Sequence, residues 1–192
     1  MTLKAAGWLG LFGLLAALYV LFTAVSKPAD ETSLKRFATG EMQKLVVVRD
    51  PPAQPLNVFF DATGAERRLS DFRGKVVLVN LWATWCAPCI EEMPTLAALA
   101  DGYRGREFEL VAISVDRNDM KARAQSDLKK LAGESLDFYQ DPGSAIAFEV
   151  KAQGMPTTIL YDRSGREIAR LAGAADWSSA EARALVDAAL GE

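Results

Sequence analysis

Residues Lys75–Trp82 read KVVLVNLW, a run whose only polar members are Lys75 at its edge and Asn80. A half-solvated strand alternates apolar and polar side chains; this run does not, so it predicts a strand covered on both faces. A strand of that kind needs helices on either side of its sheet, which places the chain among α/β folds. Just downstream, Cys86-Ala87-Pro88-Cys89 opens a stretch that reads as a helix to about Tyr103. Passing from a buried strand into a helix at Cys86 puts that side chain where unpaired N–H groups and the positive end of the helix dipole converge.

The remaining pattern extends the same architecture. Val58–Asp61 and Arg68-Leu69 flank Thr63-Gly64 as a hairpin, and Phe108–Asp116 (FELVAISVD) is a second apolar strand. Asp119–Leu131 reads as a helix capped by Asn118 or Asp119. Thr157–Asp162 and Glu167–Ala172 are strands around an Arg163-Ser164-Gly165 turn. Ser178 or Ser179 caps a last amphipathic helix, which ends at Leu190 before Gly191. Strand–helix alternation closing on a hairpin and a helix predicts an α/β sandwich around a mixed central sheet.

Ahead of this domain, Ala5–Val25 is an uncharged apolar run preceded by Lys4. Its length matches the ~20 residues that cross a bilayer, and the positive-inside rule keeps the N-terminus cytoplasmic and exports the rest of the chain. A cleaved signal peptide is the competing reading, with Ala24-Val25-Ser26 as a loose cleavage site. The run exceeds the ~7–15 apolar residues usual for such a peptide. The chain thus divides into an anchor (1–27), a tether (28–55) and a globular domain (56–192). The tether is punctuated by Pro28, Pro51, Pro52 and Pro55. It folds partly onto the domain, with Ser33 capping a short helix that contains Leu34, Phe37 and Met42.

Composition then narrows the chemistry. A formal net charge of −3 without a basic cluster argues against nucleic-acid binding. With no histidine, this chain supplies no His-based general base, haem ligand or copper site. The two cysteines are three apart, and a bridge closing so short a loop stabilises little, so the pair reads as reactive. Helix N-terminal placement lowers the Cys86 pKa and makes it the nucleophile; Cys89, nearly one turn on and shielded in the helix, resolves. Pro88 suits a first helical turn. Zinc needs four ligands, which this chain reaches only across a dimer. The i+3 spacing sets Glu92 on the Cys89 face, where proton exchange with the thiol or plain solvation are both open; Glu91 points elsewhere.

LSDFRGKVVLVNLWATWCAPCIEEMPTL (residues 69–96), with Trp85 before Cys86, Pro94 after Cys89 and Gly154-Met155-Pro156-Thr157-Thr158 downstream, resembles the thioredoxin superfamily. Within it the match is to the TlpA-like branch, with ResA and the cytochrome c maturation thioredoxins, over about residues 56–192. The resemblance implies a thioredoxin-like fold with one N-terminal transmembrane helix and a redox pair at Cys86 and Cys89. It implies a cis-proline at Pro156 facing that pair, and a substrate groove lined by Trp85, Pro88, Met155 and Pro156. It also implies proton handling by Glu92. Where thioredoxin carries a buried aspartate, this chain has Asn80, which does not titrate.

The resemblance further implies a periplasm-facing, inner-membrane protein-disulfide reductase without cofactor or metal. Its partners are disulfide-bearing proteins, in cytochrome oxidase copper-centre assembly or on apocytochrome c, and a membrane electron donor of the DsbD or CcdA type. A disulfide oxidase is the alternative within the same chemistry. A metallochaperone on the same fold is another, although such proteins add a histidine to two cysteines. The peroxiredoxin-type Pro-x-x-x-Thr-x-x-Cys pattern is absent before Cys86.

Overall fold

A computed structural model describes residues 34–191. The expected anchor at residues 5–25 lies outside the described residues, among which no helix is long and apolar enough to cross a membrane. In chain order the elements are β1 (Leu45–Val47), β2 (Phe59–Asp61), β3 (Glu66–Arg67), β4 (Val76–Trp82), α1 (Ala87–Gly102) and β5 (Phe108–Ser114). They continue with α2 (Lys121–Ala132), β6 (Tyr139–Gln140), α3 (Ala145–Glu149), β7 (Thr157–Tyr161), β8 (Glu167–Ala172) and α4 (Ala180–Leu190).

The strands form one mixed sheet in the order β1-β8-β7-β4-β5-β6-β2-β3. Every residue of β4 is buried, as its unbroken apolar sequence requires. It pairs in parallel with β5 from Val76↔Phe108 to Trp82↔Ser114, and antiparallel with β7 from Val77↔Tyr161 to Leu81↔Thr157. Flanking helices cover the sheet. The end of α1 is tied to α4 by the Tyr103 hydroxyl, which donates to the Arg183 carbonyl or the Asp187 carboxylate at 2.8 Å each. Among the largest side chains sealed in the core are Trp82, Phe59, Met93, Leu96 and Trp177.

Several boundaries differ from expectation, each for a local reason. The hairpin returns through Glu66–Arg67 and not Arg68-Leu69. Asp61 gathers the turn by accepting from Thr63 N–H, Thr63 Oγ1 and Ala65 N–H, so pairing resumes at once, while Leu69 enters a 3₁₀ turn. Asp119 lies in a 3₁₀ turn, Asn118–Met120, and α2 begins only at Lys121 without a side-chain cap. Ser179 caps α4 by accepting from Ala182 N–H, and Gly191 ends it at φ 83.

The stretch read as a tether supplies more structure than its composition suggests. Leu45–Val47 hydrogen-bonds antiparallel to β8, Leu45 facing in and Val46 out, and so covers an edge that would otherwise be open. Leu34 and Met42 are buried as well.

Candidate active site

The site is built around the C-terminal end of β4. Ala83–Trp85 leave that strand under the control of a carboxylate at the end of β5. Asp116 accepts from Thr84 N–H (2.9 Å), Thr84 Oγ1 (2.8 Å) and Ser114 Oγ (2.9 Å). It is 1% exposed, and Gln140 Nε2 donates to its backbone carbonyl at 2.9 Å. The chain is thereby aimed at Cys86, the N-cap of α1, whose Sγ accepts from Cys89 N–H at 3.3 Å. Pro88 sits exposed in the first turn, where its missing N–H leaves no bond unmade.

Cys86 and Cys89 form a disulfide with a Cα–Cα separation of 5.3 Å. Cys86 retains 5% exposure and Cys89 none. An incoming thiolate therefore reaches the Cys86 sulfur. Trp85, directly before it, is 70% exposed.

Across the sheet, the Met155–Pro156 bond is cis. Pro156 immediately precedes Thr157, which pairs with Leu81 near the end of β4, and Gly173 N–H donates to the Pro156 carbonyl at 2.9 Å. Met155 is half-buried and Pro156 buried. The topology thus gathers Trp85, Cys86, Pro88, Met155 and Pro156 at one end of the sheet.

Glu92 is 3% exposed, on the second turn of α1. Asn80 Nδ2 donates to its Oε1 at 2.8 Å, while Ala175 N–H (3.1 Å) and Trp177 Nε1–H (3.2 Å) donate to Oε2. The same Asn80 Nδ2 donates to Thr158 Oγ1 at 2.9 Å, and Asn80 Oδ1 is buried without a partner. Burial pushes the Glu92 carboxyl up to about 7, with the donors from Asn80, Ala175 and Trp177 pulling the other way. A carboxyl balanced there takes up and releases protons at neutral pH.

Sequence reasoning had no means of finding Ala175 and Trp177, which lie more than 80 residues from Glu92. Asp116 and Thr84 were equally hidden. The one trace is that FELVAISVD ends on a carboxylate.

A thioredoxin-type sheet that presents a Cys-x-x-Cys disulfide at a helix N-terminus defines a thiol–disulfide oxidoreductase. The chain belongs to the Redoxin family, whose profile matches residues 30–186. It is 33% identical over 122 residues to the thiol-disulfide oxidoreductase ResA of Bacillus thuringiensis, a match covering 62% of this chain and 67% of that protein. It is 32% identical over 119 residues to the thiol:disulfide interchange protein HelX of Rhodobacter capsulatus, covering 60% of this chain and 64% of that one. A solved structure of a DsbE thiol:disulfide interchange protein from Chlorobium tepidum superposes with a TM-score of 0.66 at 26% identity. That match covers 75% of this chain and 99% of the other.

Proposed function

We propose that this protein is a membrane-anchored reductase of partner-protein disulfides, working on the periplasmic side of the inner membrane. The observation that carries the reading is the asymmetry of the sulfur pair: Cys86 caps the helix at a slightly open position, and Cys89 is sealed. In the reduced enzyme the Cys86 thiolate attacks one sulfur of a substrate disulfide. A mixed disulfide forms, and the other substrate sulfur leaves as a thiolate. Cys89 gives up its proton, with Glu92 as the acceptor, and attacks the Cys86 sulfur. The second substrate thiolate departs; the substrate has gained two electrons and the enzyme holds its disulfide again. Trp85, Pro88, Met155 and Pro156 form the wall on which the substrate chain lies.

Re-reduction in an oxidising compartment calls for a membrane donor of the DsbD or CcdA type. The TlpA-like character of residues 69–96 supports proteins of cytochrome oxidase copper-centre assembly as substrates, with apocytochrome c as the second class. The Ala5–Val25 run supports anchoring by a single span.

Equilibration against a glutathione redox buffer tests the direction. A reductase gives a potential on the order of −200 mV or lower, whereas a value near about −120 mV identifies a disulfide oxidase.

A further inference from the structure

Between α3 and β7 the turn 150–156 carries Met155 and Pro156 to the sulfur end of the sheet. It is irregular, with Lys151 at φ 54, a region that side chains with a Cβ rarely adopt. Its far end is held by Thr157 Oγ1, which donates to the Gly154 carbonyl at 2.7 Å, and by the Gly173–Pro156 bond. Its near end is held from β8. Arg170 Nη1 donates to the Val150 carbonyl at 2.9 Å, at the C-terminal end of α3, where unpaired carbonyls attract a cation.

The guanidinium is itself fixed in direction. Its Nη2 donates to Glu167 Oε2 at 2.7 Å and its Nε to Glu167 Oε1, and Glu167 is only 2% exposed. A buried ion pair gains little net stability once desolvation is counted. What this fork does gain is a rigid edge for the remaining nitrogen, set against one backbone carbonyl. Arg170 also pairs with Ile159 across β7–β8, so the clamp is referenced to the strand that begins at Thr157.

We propose that Arg170, oriented by Glu167, is a positioning residue that sets the 150–156 turn for binding an extended protein substrate. It touches neither sulfur and takes no part in the exchange step. The proposal rests on the reading of Met155 and Pro156 as part of the substrate wall. A small soluble disulfide, which reaches Cys86 without lying along that wall, is insensitive to the clamp.

The test compares the full chain with two variants. The double change Glu167→Gln with Arg170→Met removes both charges together and leaves no unpaired buried ion. Arg170→Lys keeps the charge but loses the fork. Each is assayed with insulin as protein disulfide and dithiothreitol as turnover reductant, with 5,5′-dithiobis(2-nitrobenzoic acid) as small disulfide in a single turnover of the pre-reduced enzyme, and for the rate of Cys86 alkylation in the reduced enzyme. In the double variant the KM for insulin should rise roughly tenfold at little-changed kcat, as displaced binding contacts do. Arg170→Lys should show a smaller rise. The small-disulfide rate and the alkylation rate should stay at the wild-type values in both.

Wild-type insulin kinetics in a folded double variant overturn the proposal. Equal slowing of both disulfides also overturns it, since that marks general damage to the site. If the double variant does not fold, Arg170→Lys decides by the same criteria. A wild-type protein that shows no saturable binding of insulin overturns the substrate-wall reading itself, which separates that failure from failure of the clamp.

Discussion

Glu92 receives three N–H donors and is still pushed up to about 7, so burial outweighs hydrogen bonding at this side chain. A carboxyl whose folded pKa lies above its unfolded value of 4.5 leaves stability untouched in acid, where both states are protonated. As pH rises from 4.5 towards 7 the unfolded chain ionises first, and folding loses up to about 3 kcal/mol, a loss complete above 7. Glu92→Gln removes this dependence. Urea unfolding of the oxidised protein at pH 4.5, 6 and 8 should show the variant gaining on wild type as pH rises; a constant difference means that Glu92 does not titrate in this range. In exchange kinetics the same variant should flatten the pH–rate profile near neutrality, while an unchanged profile returns Glu92 to a purely structural role. Asp116 acts on the segment just before Cys86, holding Thr84 by backbone and hydroxyl. Asp116→Ala leaves the Thr84 N–H without its acceptor and should cost about 2–3 kcal/mol in urea unfolding. Thr84→Val, which removes only the hydroxyl bond, should cost about 1 kcal/mol.

At the scale of elements, what could be read in advance depended on how much of the pattern a segment carries by itself. β4 and β5 are seven residues each and almost wholly buried, so their apolar runs identify them without any partner in view. α1 announces itself through the Cys86–Cys89 motif with Pro88 in its first turn, although Cys86 proves to be its cap, and α4 through Ser179 and Gly191. β1 and β6 have three and two residues, too few to show a period, and α3 is a single short turn of helix. Their conformations come from neighbours: β1 exists because the edge of β8 accepts it, and β6 because the end of β5 does. The same logic applies within the site, where the cysteine pair is legible in four letters but two of the three donors to Glu92, Ala175 and Trp177, are brought by the β8–α4 loop from far along the chain. The segment 34–47 puts this dependence on neighbours to the test. Met42 is fully buried although its surrounding sequence reads as tether. Met42→Ala should therefore destabilise the domain by about 2–5 kcal/mol, as removal of a core side chain does. Leu56→Ser, at a position 73% exposed, should change stability by no more than about 0.5 kcal/mol. Equal small effects would make 34–47 a true tether.

For the molecule as a whole, the proposed anchor and the redox domain make a joint prediction, because a protein held as proposed at the periplasmic face would meet only partners that reach that face. Only a thiolate attacks a disulfide, and the cap position with its helix dipole favours ionisation at Cys86, while Cys89 has no exposed surface. Cys89→Ser should keep the attack and lose the resolving step, so partners accumulate as mixed disulfides with Cys86. Cys86→Ser should accumulate none, since a hydroxyl is not ionised near neutral pH. In the reduced wild-type protein, alkylation at mildly acidic pH should modify Cys86 first. Non-reducing electrophoresis of membranes from cells that express each variant, followed by mass spectrometry, reads both the trapping and the identity of the partners. The adducts should sediment with the inner membrane, retain residues 5–25 by mass, and contain exported thiol proteins. Recovery of a soluble product beginning near Lys27 makes the first segment a signal peptide. Adducts formed by Cys86→Ser and not by Cys89→Ser reverse the order of attack, and with it the meaning of the exposed Trp85 beside Cys86.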